Sequence, residues 1–230
     1  MEFFSQTYVA LRGPTGAPQT AADTVGRLSD RLSPATLLAD RRAAVLAFKG
    51  LSRDCKEDVG NSALRGLLDV LANDAEVDAD MGKAVLETLN ILCDTEDTTP
   101  GGKALGFKHT DVVLANEKTV HVLFSLLRES NFYTRFASIQ YISTLLQNRR
   151  QAVQSYFLTA PAGPGSITAA LEDTREIVRT GEYHFLSAAL NDRSQEVLKS
   201  CMRAPGGFPT LTYSLYRGHR NDSSTRFSQL

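Results

Sequence analysis

Three cysteines, Cys55, Cys93 and Cys201, and four histidines, His109, His121, His184 and His219, are the side chains whose chemistry would show first in this 230-residue sequence. A nucleophilic thiol needs a thiolate with a base beside it. Cys55 sits in the charged run RDCKEDVG, where Lys56 would lower its pKa, but no histidine is near it in the sequence, so it reads as a cysteine at a helix end. Cys93 extends the apolar run NILC and reads as a core residue. The histidines show neither HExxH nor His-x-His spacing and the cysteines form no paired ligand set, so no metal or cofactor is expected. GGKALG, residues 101–106, is glycine-rich but lacks the GK[ST] ending and the preceding strand of a phosphate cradle, and reads as a flexible insertion. Asn221-Asp222-Ser223 is a formal glycosylation sequon, without meaning if the odd, widely spaced cysteines indicate a reducing compartment.

What survives is a surface for recognition. Arg42, Leu46, Lys49 and Arg53 fall at i, i+4, i+7 and i+11, on the side of a helix opposite the stripe Ala44, Val45, Phe48, Leu51. They make a mostly basic ridge. Its equivalents 41 residues on are Lys83, Glu87, Asn90 and Asp94, so a groove lined by these helices passes from basic to mixed and acidic. Arg42, Lys49, Arg53, Glu87, Asn90 and, from a third unit, Gln140 are the candidate partner-binding residues. That polarity suits a protein ligand better than a nucleic acid, although any solvated helix face carries charge.

The elements that position this ridge are helices. TAADTVGRLSDRL places Ala21, Val25, Leu28 and Leu32 on one face, with Thr20 as N-cap, Asp23 three residues later and Pro34 as the breaker. The stripe Ala44, Val45, Phe48, Leu51 recurs as Val85, Leu86, Leu89, Leu92 after 41 residues, and as Ser138, Ile139, Ile142, Leu145 after 94. The first step fits the roughly 40–47-residue period of armadillo and HEAT units. The longer second step is read as containing an inserted loop, TEDTTPGGKALGFKHT. A shorter amphipathic segment precedes each later long helix, as ALRGLLDVL and KTVHVLFSLL do. The expected fold is all-α, an armadillo-like solenoid, with a compact helical bundle as the alternative. Residues 1–19, with Gly13, Pro14, Gly16 and Pro18, read as a flexible leader.

With 42% hydrophobic residues the chain has enough apolar material for a core, and 25 basic against 26 acidic residues leave a formal charge of -1. A broad positive field for phosphate backbones is absent, and no window reaches the roughly 20 apolar residues of a membrane span.

TLLADRRAAVLAFKGLSRDCKEDVG, with KAVLETLNIL, LLRESNFYTRFASIQYISTLLQ and LEDTREIVRTG, resembles the globular head of the general vesicular transport factor or vesicle docking protein family, over most of the chain from about Thr20 to Gly181. It departs from the family at Cys55, where an aromatic is expected, and in a less acidic loop near Gly101. The resemblance implies an armadillo-like head, followed in full-length members by a dimeric coiled coil and an acidic tail. It implies a tether for ER-to-Golgi and intra-Golgi vesicles, working by binding without catalysis in the cytoplasm, peripherally at Golgi membranes. Rab-type small GTPases, SNARE proteins and vesicle coat components are the implied partners.

The domain reading is a leader at 1–19, an armadillo-like head at 20–181 and a non-repeat, partly disordered tail at 182–230. TREIVRTG looks like the entry to a fourth long helix, but Glu182 stands where an apolar residue is needed and no heptads follow Gly181. The expectation is a solenoid truncated in its fourth unit, with residues from about 182 a translated intron, a misjoined gene model or a natural short tail. The competing functions are a cysteine enzyme using Cys55 and an armadillo adaptor of an unrelated pathway. An adaptor of the nuclear-transport kind would want Trp/Asn pairs, and the chain has no Trp.

Overall fold

In the computed structural model, residues 20–161 and Ser166 are described. The leader, the fourth unit, the tail after Gly181, Cys201 and the sequon therefore lie outside the described residues. The helices are α1 (Ala21–Asp30), α2 (Leu38–Asp54), α3 (Lys56–Ser62), α4 (Leu64–Asp74), α5 (Ala79–Cys93), α6 (Gly102–Leu114), α7 (Glu117–Leu126), α8 (Phe132–Asn148) and α9 (Arg150–Thr159). No strand occurs among the described residues.

Local chemistry sets the boundaries. Thr20 is the N-cap expected from the sequence, and with Asp23 it forms a capping box, each side chain accepting from the other's backbone N–H. Asp78, Asn116 and Asn131 cap α5, α7 and α8 by accepting from N–H groups of the first turn. The long helices α2, α5 and α8 begin at residues 38, 79 and 132, which keeps both repeat steps read from the sequence.

Packing arranges the helices in rows. α2 lies against α5 and α5 against α8, while α4 packs on α7 and α3 on α6. This is an armadillo-like solenoid, with α3–α4–α5 and α6–α7–α8 as three-helix units. Ala44, Val45 and Phe48 are fully buried with Leu51 half-buried, and all four members of the second stripe and all four of the third are buried. On α1, Val25 and Leu28 are buried, as is Leu32 in the turn that follows it, but Ala21 is exposed in the first turn.

The inserted loop requires correction. Only residues 94–101 connect α5 to α6, and GKALG is the first turn of a 13-residue helix rather than a flexible insertion. The glycines serve close approach. A Cβ at Gly106 would collide with the Asp94 carbonyl, and one at Gly102 would come within 2.6 Å of Asp97 Oδ2. Gly101, at φ 79°, is the left-handed residue that turns the chain into the helix.

Candidate protein-interaction face and the junction beneath it

The six candidate partner-binding residues lie on the three stacked long helices, Arg42, Lys49 and Arg53 on α2, Glu87 and Asn90 on α5, and Gln140 on α8. The ridge, however, is not a free row of cations. Lys49 Nζ donates to Glu87 Oε2 at 2.6 Å, and Arg42 Nη2 donates to Asp78 Oδ1 at 2.7 Å, so the charge is largely neutralised by the adjacent helix. The physical reason is register: contacts between α2 and α5 join residues 36 and 38 apart, bringing the cations of one unit beside the acids of the next.

Burial pushes the Asp78 carboxyl up, but the hydrogen bonds from Arg42 and from Met81 N–H, with the Arg42 charge, hold it below the usual carboxylate range. Arg53 is exposed and makes no ion pair among the described residues. Gln140 is exposed, and Asn90 is half-buried with its Oδ1 unpartnered. Lys83 lies 3.9 Å from Glu87 and places its ammonium 4.7 Å from the centroid of the Tyr133 ring, extending the contacts onto α8.

At the C-terminal ends of the same helices is a second polar assembly, with Asn148, Thr110, His109 and Lys56 buried in it. Asn148 Nδ2 donates to the Cys93 carbonyl at 2.7 Å and to Thr110 Oγ1 at 2.8 Å, while its Oδ1 accepts from Thr95 at 2.8 Å. Lys56 donates to the Asp94 carbonyl and to Asp97 Oδ2. His109 Nδ1 donates to the Leu92 carbonyl at 2.9 Å, which fixes the neutral tautomer and leaves Nε2 a buried atom without a partner. Burial pushes its pKa down, the Leu92 bond opposing and the charges of Lys56 and Lys108 adding to the fall. Two hydrogen bonds from Thr99, then that from Lys56, lower the Asp97 pKa to about 2.

Neither described cysteine has the lowered pKa of an activated thiol. Burial raises the Cys55 pKa, with Asp58 and Asp54 adding to the rise, and Lys56 points to Asp94 and Asp97 instead of lowering it. Cys93 is fully buried, its thiol pushed up to about 11 beside the Tyr141 hydroxyl at 3.6 Å. No group of three or more metal-ligating side chains occurs among the described residues.

No family model matches the chain. It is 32% identical to the general vesicular transport factor p115 of Bos taurus over 77% of this chain and 19% of that protein. It is 31% identical to the intracellular protein transport protein uso1 of Schizosaccharomyces pombe over 84% of this chain and 18% of that protein. A solved structure, Uso1-1, superposes with a TM-score of 0.71 at 28% identity, covering 79% of this chain and 31% of the other. The chain is a homologue of the general vesicular transport factors. It spans about a fifth of the length of the curated relatives it matches.

For this vesicular transport factor homologue, the six residues named from the sequence fall on three stacked long helices, but the sequence reading missed the junction at their ends. Asn148 lies 38 residues from Thr110 and His109 lies 17 from Leu92, the groups they bond, and no stripe or motif marks them. The available signal was Gly60, whose Cβ would fall within the His109 ring, but a glycine between α3 positions reads equally as a weak helix end.

Proposed function

We propose that this vesicular transport factor homologue acts as a protein-binding head that docks transport vesicles in ER-to-Golgi and intra-Golgi traffic, without catalysis of its own. The observation that carries the reading is the agreement of sequence and fold with the transport factors over more than three quarters of the chain. In this reading residues 20–181 form the binding unit, and its recognition elements include Arg53, Asn90 and Gln140, with Arg42, Lys49 and Glu87 setting the shape and charge of the face. Its partners are a Rab-type small GTPase, SNARE proteins and vesicle coat components, met in the cytoplasm at Golgi membranes. Membrane association is peripheral, through those partners, and no helix of the described residues is long and apolar enough to cross a bilayer.

The test is retention of Rab-type GTPases, loaded with a GTP analogue or GDP, on the immobilised full chain. The expected result is preferential retention of a GTP-analogue form, weakened at least tenfold by Arg53→Glu with Gln140→Ala at unchanged helical circular dichroism. Retention indifferent to both the nucleotide and the double substitution would overturn the reading.

A further inference from the structure

All large apolar side chains exposed among the described residues, Leu37, Leu38, Leu46, Val77 and Tyr133, belong to a long helix or to the turn entering one. Four of them sit where the long helices begin. Leu37 is the N-cap of α2 and 73% exposed, Val77 precedes the N-cap of α5 and is 74% exposed, and Tyr133 is the second residue of α8. Contacts bring these ends together. Arg41 Nε bonds Asp74 Oδ2 at 2.8 Å and Arg42 bonds Asp78, which binds the turn carrying Val77 to the first turn of α2. Thr134 Oγ1 donates to the Ala79 carbonyl at 3.3 Å, and Lys83 covers the Tyr133 ring, which joins the start of α8 to the same edge.

Scattered exposed leucines need no explanation, but apolar side chains gathered on one edge mark a contact surface. The charges around this edge decide what it contacts. Arg41 and Arg42 are consumed by Asp74 and Asp78, whereas Asp40 and Glu76 are exposed with no ion pair among the described residues. Asp80, with its side chain 86% exposed, approaches only the already paired Arg42, at 3.8 Å. The surplus around Leu37, Leu38 and Val77 is therefore negative.

We infer that this edge docks a basic amphipathic segment of a partner protein, its apolar side chains on Leu37, Leu38 and Val77 and its lysines or arginines facing Asp40, Glu76 and Asp80. Anionic lipid would meet the same carboxylates and be repelled. Arg42 borders both surfaces, but none of Leu37, Leu38, Val77, Asp40, Glu76 and Asp80 is a recognition residue of the long-helix face, so the inference does not rest on the tether reading.

The test uses the full chain and a fluorescein-labelled 18-residue peptide of Leu and Lys, patterned with Leu on one helical face. Controls are the same peptide with Glu for Lys and a scrambled Leu/Lys peptide. The expected result is binding of the patterned Lys peptide at least tenfold tighter than either control. Binding should fall at least tenfold in Leu37→Ser/Val77→Ser and in Asp40→Asn/Glu76→Gln/Asp80→Asn, and hydrogen-exchange protection should map to residues 37–42 and 74–80. Binding of the Glu peptide with equal strength, retention of affinity in both variants, or no binding would overturn the inference. So would preferential binding of phosphatidylserine vesicles, or a sedimenting dimer of the chain that Leu37→Ser/Val77→Ser abolishes.

Discussion

Lys49 and Glu87 in the middle of the long-helix face, and Asn148 with His109 at its C-terminal end, both join one unit to the next, yet they do so in different dielectric surroundings. Lys49 and Glu87 remain about a third exposed, so their attraction is screened by water and each side chain keeps an alternative hydrogen-bonding partner in solvent. Asn148 and His109 are buried, so the groups they satisfy have no water to fall back on. The first pair tunes the surface that a partner meets, while the second assembly fixes how the units sit.

The largest effect should come from crowding the junction. Gly60→Ala places a methyl group in the His109 ring, which its Leu92 hydrogen bond holds in place, and should cost roughly 2–3 kcal/mol despite the better helix propensity of alanine. In a His109→Ala background the cost should vanish. Urea unfolding of the four variants decides, and an undiminished penalty in that background would show that the ring is not the obstacle.

Asn148→Ala comes next, at about 2 kcal/mol, because it removes the donor to the Cys93 carbonyl and the acceptor of the Thr95 hydroxyl, while Thr110 keeps only its bond to the Gly106 carbonyl. A melting temperature equal to that of the parent would mean that the junction is wetter than described.

Acid should separate the two regions further. His109 has a folded pKa below its unfolded one, so the unfolded chain binds the extra proton more readily and stability falls as pH drops through about 6.5. Asp97 has a lowered folded pKa of about 2, so its contribution is complete above the unfolded value near 4 and is lost as pH falls from about 4 towards 2. Unfolding free energies measured between pH 7 and 5 should decline in the parent and decline less in His109→Ala. Equal slopes would remove His109 from the account.

The smallest effect belongs to the face. A double-mutant cycle of Lys49→Met and Glu87→Met should give a coupling of no more than about 1 kcal/mol, reduced further in 0.5 M salt. A larger, salt-insensitive coupling would mean that this pair resembles the junction.

The fold was legible because a stripe such as Val85, Leu86, Leu89, Leu92 carries its helical period in one dimension, and the starts of α2, α5 and α8 preserve the two repeat steps. The pairing of charges was not. Lys49 and Asn90 share a repeat position, but the helices dock three residues out of that step and give Lys49 to Glu87. α6 was hidden for a different reason: Gly102 and Gly106 carry the composition of a loop while serving contacts with Asp97 and Asp94 that only three dimensions show.

The bonds between successive units, from His109 to Leu92 at one extreme and Asn148 to Cys93 at the other, bridge only 17 to 55 residues. A growing polypeptide therefore never waits long for the groups that complete what it has already made. Once α5 has emerged from the ribosome, α2 has its neighbour, and once α8 has emerged, α5 has both of its own. Loop closure of this length grows only slowly in entropic cost, and contacts local in sequence favour rapid folding. The order of synthesis is thus a workable order of assembly, running from α1 towards α9 without requiring an earlier unit to be undone.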